Sequence, residues 1–133
     1  MQYYIIIPAH NEEAFLADTL NSILRQSLQP KKVVVVNDRS TDQTAQILSD
    51  FTSQFPRIKA IHIARLPNGW TGKKHAIQQG IDATSNEIIL LTDADCIPQS
   101  QHWISEMAGN VNSIRHPLRG CALYCILADF LNP

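Results

Sequence analysis

Asp93 and Asp95 stand two residues apart directly after an apolar run, Ile88 to Leu91, in the stretch "NEIILLTDADCIP". Burying either carboxylate unpaired would be costly, so the pair is expected at a surface that uses it. If the backbone is still extended there, residues i and i+2 point the same way. Two carboxylates on one side can hold a hard divalent cation that keeps positions open for phosphate oxygens. Taken alone, the same pattern also fits two acids that cap the next turn or sit in water.

Three further stretches carry polar chemistry. In "NGWTGKKHA", Gly69 and Gly72 permit unusual backbone angles, and Lys73 and Lys74 fall in the first turn of an expected helix. Cations there oppose the helix dipole, and a bound anion would reverse that penalty, because amides, dipole and lysines would act together on a phosphate. Two solvated surface lysines are the plainer alternative. In "VVNDRSTDQT", Asp38 follows an apolar strand and could accept hydrogen bonds from a nucleobase or ribose. Asp42 reads as an acid that stabilises the next helix, with Arg39 pairing with either aspartate. In "PAHNEE", Pro8 is expected to end the strand, while Asn11 and Glu12 either line the ligand edge or begin a helix. His10 reads as an ordinary surface histidine.

These loops need elements to hold them. Four β-rich runs, residues 3 to 7, 32 to 36, 58 to 63 and 87 to 91, are continuously apolar enough for strands covered on both faces. Helical patterns lie between them: residues 14 to 26, a segment opened by a capping box with Ser40 at the N-cap and Gln43 at N3, Gly72 to Ile81, and Gln101 to Ala108. Strictly alternating strand and helix predicts an α/β fold with βαβ units and a mainly parallel sheet. In such a sheet the loops leaving the carboxyl ends of the strands share one edge, where ligands bind. From Gly109 onward the pattern loses both periods, with Pro117 and Gly120 close together. The expected division is therefore a binding unit over 1–109 and a tail, 110–133, that the sequence does not place.

A chain of 133 residues, 44% hydrophobic, holds one core. Eleven basic against twelve acidic side chains, a formal charge of −1, give no global field for nucleic acid or anionic lipid, so any anion site must be local. The N-terminus lacks the pattern of a secretory signal, and "CALYCILADFL" is too short to span a bilayer and carries Asp129. The expected location is cytoplasmic, or at the inner face of the membrane. Cys96, Cys121 and Cys125 lack framework spacing and read as free thiols, and His116 beside the last two makes a poor zinc set.

Together "YYIIIPAHNEEAFLADTLNSILRQ", "VVVVNDRSTDQTAQIL" and "GWTGKKHAIQQGIDATSNEIILLTDADCIP" resemble the nucleotide-sugar-binding half of glycosyltransferase family 2, inverting enzymes of the GT-A fold. The match runs over roughly residues 3 to 107; each motif is modest, and their shared order and spacing are specific. The resemblance implies a UDP-sugar donor. Its nucleoside would be held by the first-loop backbone at Ala9 and by Asp38, and its ribose and diphosphate by Asp93 and Asp95 with Mn²⁺ or Mg²⁺. "GWTGK" is similar to members that glycosylate lipids, carotenoids or other polyprenoids. Nothing after Gly109 resembles the family's acceptor half with its general base. The chain is therefore expected to bind donor without transferring it efficiently, to be a natural truncation, a fragment or the product of an altered frame, and to self-associate through uncovered apolar surface.

Three other readings compete. A P-loop fails because Pro67 occupies its first glycine and Lys74 its Ser/Thr position. A haloacid-dehalogenase-like phosphatase needs Thr or Val where Ile97 stands. A catalytically silent nucleotide-sugar-binding module, or a subunit completed by another chain, remains as the alternative of another class. It would bind nucleotide and transfer nothing.

Overall fold

The computed structural model describes residues 3–84, 88–108, 116–118 and 121–127. Along the chain run β1 (Tyr3–Ala9), α1 (Leu16–Leu24), β2 (Lys32–Asp38), α2 (Thr44–Gln54), β3 (Ile58–Ile63), α3 (Gly72–Asp82), β4 (Ile88–Leu91), α4 (Trp103–Ala108), β5 (His116–Leu118) and β6 (Cys121–Leu127). The sheet order is β3-β2-β1-β4-β6-β5, and the first four strands are parallel. β6 runs antiparallel to β4, and β5 antiparallel to β6. The segment that the sequence leaves unplaced thus contributes strands to the edge beside β4. Residue 87, the expected start of β4, and Asp129 lie outside the described residues.

Both faces of β1 and β2 are covered, as their apolar runs require, while the edge strand β3 exposes Lys59 and His62. Ile5, Ile7, Val33, Val35 and Leu90 face one side, packed by Leu16, Leu20 and Ile23 of α1, Leu48 of α2, and Trp103 and Ile104 of α4. Ile6, Val34, Val36, Ile89 and Leu91 face the other, under Ala76, Ile77 and Ile81 of α3. The period of two along each strand decides which residue meets which layer. α3 lies close on the sheet because Gly80 has no side chain: a Cβ there would stand 2.6 Å from Ile6 Cγ2. Among the described residues no helix is long and apolar enough to cross a membrane.

Three local expectations are corrected. Pro8 does not end β1, which continues to Ala9 in register with Asn37. The Ile6 carbonyl accepts from Thr92 N at 3.2 Å, so by alternation Pro8 also faces the β4 side. The pairing with β4 has already ended there, at Ile6↔Leu91, and the missing N–H is not needed. The capping box at Ser40 does not form. α2 begins at Thr44, because Arg39 adopts a left-handed φ of 55° and the turn that follows delivers the Ser40 hydroxyl to the amide of Asn11. Cys96 is disulfide-bonded rather than a free thiol. Sequence spacing could not show that β6, which carries the other two cysteines, returns alongside β4.

Candidate functional site

β1 and β2 run three and four residues past the level at which β4 stops, Ala9 pairing with Asn37 while the last β1–β4 pair is Ile6↔Leu91. The chain also changes direction here, β2 lying on one side of β1 and β4 on the other. Loops leaving adjacent strands at such a point diverge and open a crevice. A cavity of about 300 Å³ occupies it, lined by Pro8, Ala9, His10 and Glu12 after β1, Asp38 at the end of β2, Lys73 and Ala76 of α3, and Asp93, Ala94 and Asp95 after β4. Seven of the eight residues singled out from the sequence lie in this lining. The exception is Asn11, and His10, read as a bystander, belongs to it.

Asn11 has a different task. With φ at 52° it takes a left-handed turn that few non-glycine residues adopt. Its side-chain oxygen accepts from Thr41 N at 2.7 Å, and its own amide donates to Ser40 Oγ at 3.0 Å. The amides of Glu12 and Glu13 donate to Thr44 Oγ1 and Asp42 Oδ2, and the Glu13 carboxylate in turn accepts from Gln43 N. The two loops therefore cap each other. His10 Nδ1 adds a donation to the Asp38 carbonyl at 2.6 Å, which fixes its tautomer.

Asp38 is 4% exposed, and Arg39 grips both of its carboxylate oxygens, Nε to Oδ1 at 2.9 Å and Nη2 to Oδ2 at 3.2 Å. Gly72 lets the first residue of α3 approach that pair: a Cβ there would lie 2.8 Å from both Arg39 Nη2 and Asp38 Oδ2. The lining holds four carboxylates, Glu12, Asp38, Asp93 and Asp95, against one lysine. Asp38 is answered by Arg39, and Lys73 Nζ is 2.8 Å from Asp93 Oδ1. Glu12 and Asp95 remain. Burial, and then the negative charges of Asp95, Asp93 and Asp42, push the Glu12 carboxyl above its usual range.

The two aspartates of the D-x-D stretch do not converge through strand alternation. The strand ends at Leu91, and a turn in which Cys96 N donates to the Asp93 carbonyl at 3.1 Å carries both to the cavity. That turn is held by residues the sequence reading passed over. Thr19, Ser22 and Gln26 form a polar row along the inner side of α1 and just beyond its end: Thr19 Oγ1 donates to the Ala94 carbonyl at 2.6 Å, Ser22 Oγ to that of Pro98 at 2.8 Å, and Gln26 Nε2 to that of Ser100 at 2.7 Å. All three residues are buried. Their spacing of three and four beside the apolar stripe of the same helix was the available signal.

A metal would have to be completed from outside the chain. Among the described residues no three His, Cys, Asp or Glu side chains gather into a ready-made cage. The donor set nonetheless fits a hard cation: the oxygens of Asp93 and Asp95 face the same cavity as Glu12, and their mutual repulsion is what a cation relieves. Ligand oxygens and water would fill the remaining positions.

Comparison with known proteins agrees with this geometry. The family model described as Glycosyl transferase family 2 matches residues 4–124. The 4,4'-diaponeurosporenoate glycosyltransferase of Staphylococcus aureus (strain USA300) is 36% identical over 91 residues, 68% of this chain and 23% of that protein. The crystal structure of S. aureus TarS 1-349 in complex with UDP-GlcNAc superposes with a TM-score of 0.68 at 26% identity, over 84% of this chain and 31% of that one. The mannosyltransferase PcManGT from Pyrobaculum calidifontis, in complex with GDP-Man and Mn2+, gives 0.69 at 22% identity over 84% and 32%, a likeness of fold. The chain spans about a quarter of the length of the curated relatives it matches.

Proposed function

Because this chain belongs to glycosyl transferase family 2, we propose that its cavity binds the nucleotide part of a UDP-sugar together with a divalent cation, Mn²⁺ or Mg²⁺, as the donor half of an inverting glycosyltransferase. The observation that carries the reading is the charge imbalance of the lining. Asp38 and Asp93 have cationic partners within the protein, while Glu12 and Asp95 form no ion pair with a lysine or arginine among the described residues, at the mouth of a cavity that would have to admit a diphosphate. A cation bound beside them would offset their repulsion of an incoming anion. Bound there, the cation would stabilise the charge that develops on the leaving diphosphate.

The chain's own residues then divide the work. Asp38, aimed by Arg39, accepts from the base or ribose, and the β1 end at Pro8 and Ala9 forms the floor of the nucleoside site. Glu12 and Asp93, in the same lining, would accept from ribose hydroxyls. Asp93 and Asp95 hold the cation, and Lys73, at the open N-terminus of α3, meets the diphosphate; the Thr71 side chain accepts no capping bond from those first amides. Deprotonation of the acceptor hydroxyl is assigned to no described residue. The "GWTGK" segment and the likeness to a carotenoid-type glycosyltransferase both favour a polyprenoid-like acceptor, at the inner face of the membrane.

Calorimetric titration with uridine, UDP, GDP and ADP, each in Mn²⁺ and in EDTA, tests the reading. UDP should bind most tightly of the four, and only UDP, GDP and ADP should gain from Mn²⁺. A UDP affinity identical in Mn²⁺ and EDTA removes the cation, and equal affinity for the three diphosphates removes the uridine site.

A further inference from the structure

We propose that Lys73 is an exchange residue: it neutralises Asp93 while the donor site is empty and leaves it for the incoming diphosphate, so that donor binding and the freeing of Asp93 are one event. This rests on the donor-site reading above and adds a coupling to it.

The cations around the cavity are unequal. Arg39 is committed to Asp38 through two contacts, on a backbone locked in a left-handed turn. Lys74 turns the other way, its Nζ 5.9 Å from the centre of the Trp70 ring. Lys73 alone among the described lining residues is a lysine or arginine, and a single contact of 2.8 Å to Asp93 Oδ1 ties it. Its side chain is 64% exposed and that of Asp93 42%, so the tie is solvated and weak. Lys73 also stands in the first turn of α3, where the dipole disfavours a cation unless an anion is near. Asp93 is that anion in the empty site. A diphosphate, with more charge and with the α3 amides beside it, is the stronger one.

Asp93 Oδ1 cannot serve the ammonium and a metal equally well at the same time. When diphosphate draws Lys73 away, the oxygen becomes available to a cation, and a cation on Asp93 conversely releases Lys73 towards phosphate. Each ligand therefore favours the other by the same factor. For an exposed pair that factor is about 1.5 to 5.

The test uses the full chain in EDTA, where the exchange is isolated from metal binding. The reading is the ratio of UDP to uridine affinity, which cancels any effect of Asp93 on the nucleoside. Asp93→Asn is compared alone and in a Lys73→Met background. Loss of a carboxylate near the diphosphate should raise the ratio in both backgrounds, and release of Lys73 should raise it by a further factor of about 1.5 to 5 only where the lysine is present. Equal increases in both backgrounds mean that Asp93 merely repels phosphate, and no increase means that it restrains nothing; either overturns the exchange. If the unsubstituted protein binds UDP no better than uridine even in Mn²⁺, the diphosphate site itself is wrong and the exchange falls with it.

Discussion

Thr19→Val tests whether α1 positions the D-x-D turn. Valine nearly preserves the shape of threonine and removes only the hydroxyl, which donates to the Ala94 carbonyl at 2.6 Å. Thr19 is 0% exposed and Ala94 1%, so no water replaces the donor without rearrangement. An acceptor left unsatisfied in such a place costs about 1 to 3 kcal/mol, and the added methyl returns up to about 0.8 kcal/mol. A net loss of roughly 0.2 to 2 kcal/mol, at an unfolding entropy of about 2.1 cal/mol/K per residue, lowers the melting temperature by about 1 to 7 °C in a chain of this length. Because Asp93 and Asp95 flank Ala94, UDP affinity in Mn²⁺ should fall further than affinity in EDTA. Thr19→Ser, which keeps the donor, should lose stability through its missing methyl yet retain the Mn²⁺-dependent gain. Calorimetry for stability and titration for affinity separate the two effects. A valine variant that melts lower but keeps the full Mn²⁺ gain would show that the bond holds the fold and not the motif. One that melts with the unsubstituted protein would show that the bond contributes nothing.

Asp95→Asn should weaken UDP binding much more in Mn²⁺ than in EDTA, and equal weakening in both buffers takes Asp95 out of the metal site. Gly72→Ala places a methyl 2.8 Å from Asp38 Oδ2 and Arg39 Nη2. It should lower uridine affinity several-fold while helix propensity, about 0.5 to 1 kcal/mol in favour of alanine, keeps stability near its original value. Unchanged uridine affinity would mean that the Asp38–Arg39 pair does not touch the nucleoside. Burial works to raise the Asp42 carboxyl, but hydrogen bonds from Thr44 and from the Glu13 amide outweigh it and hold the group below its ordinary 3.8. The stability this gives is present above 3.8 and lost as pH falls through the lowered value. Urea unfolding of Asp42→Asn at stepped pH should show a shallower acid decline there, and an unaltered slope would assign that decline to other carboxylates.

What the sequence revealed, and what it hid, follows the range of the forces involved. β1, β2 and β4 were legible because burial on both faces demands continuous apolar residues, and β3, which exposes Lys59 and His62 at the sheet edge, through its β-branched residues. Where β1 and β2 stop was not legible. Pro8, Asn37 and Asp38 look like loop residues, and they remain in strands because their partners across the sheet continue, which is a property of pairing rather than of local preference. The capping box at Ser40 failed for a related reason: its hydroxyl had a competing donor 29 residues away in sequence, the amide of Asn11. Spacing along one chain cannot rank a local partner against a distant one.

The same distinction explains which site residues could be read directly. Carboxylates and lysines announce themselves because few of them are buried without purpose. Their number in the cavity, and not their identity, supports the proposed cation, since four carboxylates there face a single lysine. Thr19, Ser22 and Gln26 made no such announcement, because a polar side chain on a helix is unremarked until the face it occupies is known to be covered. α1 thus has two jobs written in one periodicity: Leu16, Leu20 and Ile23 hold it on the sheet, and the row beside them fixes the loop that carries Asp93 and Asp95. A helix that slipped or rotated on the sheet would move the carboxylates with it. The D-x-D geometry is therefore a consequence of core packing, and substitutions in the apolar stripe of α1 should reach the metal site through Thr19 before they reach any other part of the cavity.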